Sequence, residues 1–124
     1  MRLSAAVLGA RDANALAAFY RRLLGWTVIE EEPGWVRLRP SSSAPDAPGL
    51  SFADEPGHEP PVWPGGPGDQ LMQVHLDVAV DDLPAGVAWA EACGATLAAL
   101  QPQAHVRVMI DPAGHPFCLF TGGR

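Results

Sequence analysis

The sequence predicts an α+β protein made of two βαβββ units in tandem, and three observations carry that prediction. The same order of elements reads twice along the 124 residues. Each half holds one segment of helical period that begins on an aspartate and stops on a glycine, "DANALAAFYRRLLG" and "DDLPAGVAWAEACG". The halves also share one offset: Asp12 and Asp82 lie 70 residues apart, as do Ala5 and His75, Trp35 and His105, and Arg37 and Arg107.

Residues 3 to 9 form the first strand. The first helix follows, with Asp12 as N-cap, Gly25 just past its end, and Leu16, Phe19, Tyr20, Leu23 and Leu24 at helical spacing. "WTVIEEE", "WVRLR" and "GLSFA" then read as three strands separated by turn residues. The second half opens on "MQVHLDVAV", residues 72 to 80, whose alternation sends Val74, Leu76, Val78 and Val80 to a core face and Gln73, His75 and Asp77 to the opposite one. Its helix is capped by Asp82, carries an early proline and ends at Gly94. Strands follow at "ATLAAL", "HVRVMI" and "HPFCLF", the last two joined by "DPAG", which suits a type I turn. The organisation is one domain over 1–124, with modules 1–54 and 72–124. Residues 55–71, rich in Pro and Gly, read either as a plain linker or as a flap that carries Trp63 over a pocket.

Composition bounds the function. Hydrophobic residues at 48% and charged residues at 18% describe a globular chain, not a disordered one. A net charge of −6 argues against nucleic acid and anionic membranes as partners, since both require a basic surface. All basic residues are arginine, and Ala, Gly and Pro abound, a bias towards GC-rich codons that points to a bacterial source. Cys93 and Cys118 lie in apolar segments, as expected of reduced thiols in the cytoplasm. The apolar run in "MRLSAAVLGARD" stops at Arg11-Asp12, so it reads as a strand in preference to a signal peptide. No run approaches the ~20 apolar residues of a membrane span.

The segments "DANALAAFYRRLLGW", "HLDVAVDDL" and "DPAGHPFCLF", in that order, resemble the vicinal oxygen chelate superfamily, which includes glyoxalase I, extradiol dioxygenases, and fosfomycin and bleomycin resistance proteins. The resemblance is nearest to small glyoxalase-like bacterial proteins. It implies that the strands curl into a mixed-sheet cup with the helices outside and the ligand inside. It also implies four metal-ligand slots, which fall here on Ala5, Ser51, His75 and Cys118. Only His75 keeps the expected donor chemistry, so the expectation is no metal and no cofactor. A thiolate at Cys118 beside His75 makes a poor zinc site unless His105, His115 or Asp77 joins it. Cys118 and His75 as nucleophile and base are a further reading.

If Gln73, His75 and Asp77 face the cup, alternation adds Trp35, Arg37, His105, Arg107, Met109 and Cys118, and the loop adds Trp63. Two matched arginines suit a carboxylate or phosphate, and the tryptophans suit a ring. The alternative leaves Arg37 and Arg39 on an exposed strand edge, with Arg37 paired to Asp77. Trp26, Trp89 and Cys93 read as packing residues, His58 as solvated, and His115 as part of its turn. Two functions follow: a metal-free small-molecule-binding protein of the resistance type, or a lyase, isomerase or dioxygenase-like enzyme using His75 with or without a divalent metal. A homodimer is expected in either case.

Overall fold

The computed structural model describes residues 1–41 and 45–122, in two compact units, Met1–His58 and Glu59–Arg124. Each unit has the predicted βαβββ order. The first contains β1 (Ala5–Ala10), α1 (Ala13–Leu24), β2 (Thr27–Glu32), β3 (Trp35–Arg39) and β4 (Gly49–Asp54). The second contains β5 (Leu76–Ala79), α2 (Leu83–Cys93), β6 (Thr96–Leu97), β7 (Val106–Ile110) and β8 (Pro116–Phe120).

Each unit is a four-stranded mixed sheet, open at both edges, with strand orders β1-β4-β3-β2 and β5-β8-β7-β6. The first and last strands of each module run parallel, and every other pairing is antiparallel. No helix among the described residues is long and apolar enough to cross a membrane.

Both helix signals hold. Asp12 accepts a hydrogen bond from the Ala15 amide at 3.0 Å and Asp82 one from the Ala85 amide at 2.8 Å, which satisfies a first-turn donor in each helix. Asp54, at the end of β4, accepts from the Ala13 amide at 2.9 Å and so ties the start of α1 to its own sheet. Gly25 ends α1 in the left-handed conformation, at φ 67°, where a side chain would be strained.

The core of the first unit lies between α1 and one face of its sheet. Leu16, Phe19 and Tyr20 bury against Val36, Leu38, Leu50 and Phe52, with Tyr20 stacked on Phe52 at 5.6 Å between ring centroids. In the second unit Met109, Phe117 and Leu119 are buried on the corresponding face. The opposite, helix-free faces carry Val7, Ser51 and Arg37 as paired neighbours in the first sheet, and Asp77, Cys118 and Val108 in the second.

Two expectations need correction. The opening strand of the second half begins at Leu76, not at residue 72, so Val74 has no core face and is 77% exposed. The constant offset of 70 also fails in the third strand of each module. Arg37 opposes Ser51 while Val108 opposes Cys118, so the register equivalent of Arg37 is Val108, and Arg107 matches Val36. A slip of one residue moves a strand's side chains to the other face.

The "DPAG" turn closes as expected, with the Gly114 amide donating to the Asp111 carbonyl at 2.9 Å. The Asp111 side chain is buried and its Oδ1 also accepts from the amides of Ala113 and His115 at 2.9 and 3.0 Å. Two half-buried donors lose this acceptor if it goes. Asp111→Ala is therefore expected to cost about 2–6 kcal/mol, at roughly 1–3 kcal/mol per donor. The exposed cap change Asp82→Ala should cost only ~1 kcal/mol. Urea unfolding of the two variants checks the order.

Candidate functional site

The helix-free face of the second sheet holds a cavity of about 170 Å³. It is lined by Val106, Val108 and Pro116 of the sheet, by Pro102 and Gln103, and by Trp63 and Met72. His75 and Cys118 complete the lining. Sites for drug-sized ligands occupy roughly 300–1,000 Å³, so the space that this unit contributes by itself fits a single ring or a short chain.

Local structure explains how each side chain reaches the site. Pairing in register with Asp77 places Cys118 beside it on the same face. His75 precedes β5 by one residue, and its Nε2 lies 3.4 Å from Asp77 Oδ1. Asp77, His75 and Cys118 each offer one donor atom, and these atoms lie within 4.8 Å of one another. Trp63 arrives on the segment that the sequence left open between linker and flap. From Glu59 onward that segment belongs to the second unit, and this part is fastened by the Val62 amide to the Gln70 carbonyl at 2.7 Å and by Gln70 Nε2 to the Glu59 carbonyl at 2.7 Å. Within it, the Gly66 amide donates to Asp69 at 2.9 Å.

The other candidate residues go elsewhere. Arg107 and Met109 point away from Val106 and Val108, because neighbours along a strand alternate. Met109 is fully buried in the core, and Arg107 donates to the carbonyls of Gln103, Ala104 and Val106. His105 is exposed in the turn before β7, and Gln73 is exposed ahead of β5. In the first unit, Trp35 and Arg37 both engage Glu30. The indole donates to Glu30 Oε1, and the Arg37 guanidinium lies 3.6 Å from Glu30 Oε2. Arg37 thus has Glu30 as its ion-pair partner in place of Asp77. The two arginines that the sequence offset matched occupy non-equivalent faces, so they do not form a symmetric anion clamp. Met72, Pro102, Gln103, Val106, Val108 and Pro116 were missed, and only correct registers for β7 and β8 would have found the strand residues among them.

The metal slots implied by the family resemblance can be tested on donor chemistry. Ala5 offers no donor, and Ser51, 3% exposed, offers only a hydroxyl. Neither supplies an imidazole or carboxylate donor for a divalent ion. The four-slot arrangement does not fit this chain.

The family model described as a glyoxalase-like domain matches residues 5–120. No curated protein sequence matches the chain. Among solved structures, a glyoxalase/bleomycin resistance protein/dioxygenase family enzyme from Burkholderia phytofirmans PsJN is 22% identical, with 98% of each chain covered and a TM-score of 0.70. The fosfomycin resistance protein FosX from Listeria monocytogenes is 13% identical, covering 99% of this chain and 94% of its own, with a TM-score of 0.71. A bleomycin-binding protein complexed with bleomycin is 19% identical, with 99% of each chain covered and a TM-score of 0.59.

The faces assigned to β7 can be checked by thiol labelling. Val108→Phe is expected to fill the cavity and slow alkylation of Cys118 by about tenfold or more, if the added ring costs the reagent ~1.4 kcal/mol of access. Arg107→Ala should leave that rate unchanged while lowering stability by about 1 kcal/mol through the lost carbonyl contacts. Peptide mass spectrometry separates Cys118 from Cys93. With helix caps, module order, sheet topology and the family match in agreement, this chain belongs to the glyoxalase-like domain family.

Proposed function

We propose that the protein is a metal-free small-molecule-binding protein of the glyoxalase/bleomycin-resistance type, with a ligand that is small and carries an aromatic or anionic group. The observation that carries this reading is the cavity on the helix-free face of the second sheet, mostly apolar in its lining, with His75, Gln103 and Cys118 as its polar members. Such a lining favours a ring or hydrocarbon body, with one polar end to fix its orientation. Trp63 offers a stacking surface, and His75 offers ring nitrogens that accept or donate. A fold neighbour seen with bleomycin supports binding as the role for this architecture. Asp77, in register with Cys118 on the same face, completes the proposed set.

A second reading rests on the His75 and Asp77 pair. A carboxylate 3.4 Å from an imidazole that lines a cavity can orient it for proton transfer, as a lyase or isomerase requires. The binding reading is preferred because only His75, of the family's four donor positions, keeps the expected chemistry. Neither Cys93 nor Cys118 is in a disulfide, which suits a cytoplasmic setting in a bacterial cell.

The test is a thermal-shift screen of aromatic acids, amines and phosphates in the presence of chelator. A true ligand at a hundredfold excess over its Kd should stabilise the chain by about 2.7 kcal/mol. His75→Ala should keep the fold and weaken that ligand, and Val108→Phe should abolish its binding. Ligands that shift all three proteins equally bind elsewhere and defeat the proposal. Turnover of a hit, abolished in His75→Ala, would favour the enzyme instead.

We also propose a homodimer. The edge strand β1 exposes Val7 at 58%, and Val74, next to the edge strand β5, is 77% exposed. Light scattering at working concentration should give twice the 13.1 kDa chain mass, and a monomer mass ends the proposal.

A further inference from the structure

We propose that Cys118, His75 and Asp77 work as nucleophile, base and positioning group, so that the cavity of the second unit captures single-ring α,β-unsaturated carbonyl compounds as thioether adducts. The proposal rests on the small-molecule reading of the same cavity, and it names the ligand class and the bond formed.

Placement is the first support. Cys118 is not in a disulfide, and both it and His75 belong to the cavity lining. One donor atom each from His75, Asp77 and Cys118 lies within 4.8 Å of the others, and His75 Nε2 stands 3.4 Å from Asp77 Oδ1. A thiol is activated by a base that a third group orients, and such contacts are often this loose before a reactant enters. The ladder holds two of the three in place, because Asp77 and Cys118 are partners in the parallel pair. Among the described residues, no such trio contains Cys93.

Electrostatics is the second. Asp77 by itself opposes a thiolate, since two negative charges would then share one small volume. Transfer of the thiol proton to His75 avoids that penalty. The trio carries one negative charge before and after the transfer, and the imidazolium forms beside the carboxylate that stabilises it.

The reaction is an addition, and it balances. Cys118 gives its proton to His75, and the sulfur electron pair forms the bond to the β-carbon of the enone. The electron pair of the C=C bond moves through the α-carbon to the carbonyl oxygen, and the imidazolium returns the proton at the α-carbon. Neither an oxidant nor a leaving group is needed. Gln103 in the lining offers an amide donor to the enolate oxygen. A flat conjugated ring suits the face of Trp63, and about 170 Å³ admits one ring.

The test uses the full chain, reduced and kept in chelator, with 2-cyclohexen-1-one as the probe and peptide mass spectrometry as the readout. One adduct should form on Cys118, at a rate that saturates with enone concentration and has an initial slope at least about tenfold above that of Cys93. Cyclohexanone, which has the ring and the carbonyl but no C=C bond, should leave the mass unchanged and slow the enone. His75→Ala should lower the slope by about tenfold or more, and its pH–rate profile should still rise where that of the wild type is level, because only the thiolate then reacts. Asp77→Asn should also slow the reaction, whereas a carboxylate that merely repelled the thiolate would make this variant faster. Cys93→Ser should react like the wild type. Circular dichroism identifies a variant that fails to fold, and His75→Gln then replaces His75→Ala. A rate without saturation, a Cys118 no faster than Cys93, a His75→Ala that matches the wild type or a faster Asp77→Asn overturns the proposal. Reversible ligands from the thermal-shift screen without a saturating adduct end covalent capture and leave the binding role standing, while an empty screen and an unsaturated rate end both.

Discussion

The site in the second unit depends on one register: the parallel pairing of β5 with β8. Leu76 opposes Phe117 and Asp77 opposes Cys118, so the first pair turns to the helix and the second to the open face. Phe117 and Leu119 are almost fully buried, and moving β8 by one residue would bring both into water at roughly 1.5–3 kcal/mol each. Burial on one face thus sets the chemistry on the other. The same logic applies to β7, where Met109 is buried and Val106 and Val108 are left to line the cavity.

What the sequence made legible is what local physics decides. Helix ends are fixed by a few consecutive residues: an aspartate that accepts from the first turn, and a glycine that tolerates a positive φ. Both helices, their caps and the order of the strands could be read directly for that reason. The start of β5 could not, because alternation in "MQVHLDVAV" continues beyond the partner strand. The residue opposite His75 in the β5 and β8 register would be Pro116, which has no amide proton for a ladder. His75 is therefore held by the chain entering β5, where its ring reaches Asp77 in addition to the open face.

Registers in the third strands were illegible for a different reason. The two modules superpose at 70 residues through the caps, but pairing with the last strand shifts the third strand by one. Insertions and deletions in loops are invisible to a constant offset, and a strand converts a shift of one into a change of face. Arg107 was therefore assigned to the cavity, although its guanidinium holds the carbonyls of Gln103, Ala104 and Val106. The identity of the donors was legible, while their convergence required the fold.

The two modules place different electrostatics on the same positions. Val7, Ser51 and Arg37 form the row in the first sheet, and Asp77, Cys118 and Val108 form the equivalent row in the second. The first row contains its own cation, balanced by Glu30 from the neighbouring strand at 3.6 Å. Such a row is complete without help from outside. The second row sets a carboxylate beside a thiol and ends on a valine, and His75 Nε2 lies 3.4 Å from the carboxylate. The repeat supplies the same backbone twice, and the exchange of Arg37 for Val108 gives the two copies different chemistry at one position.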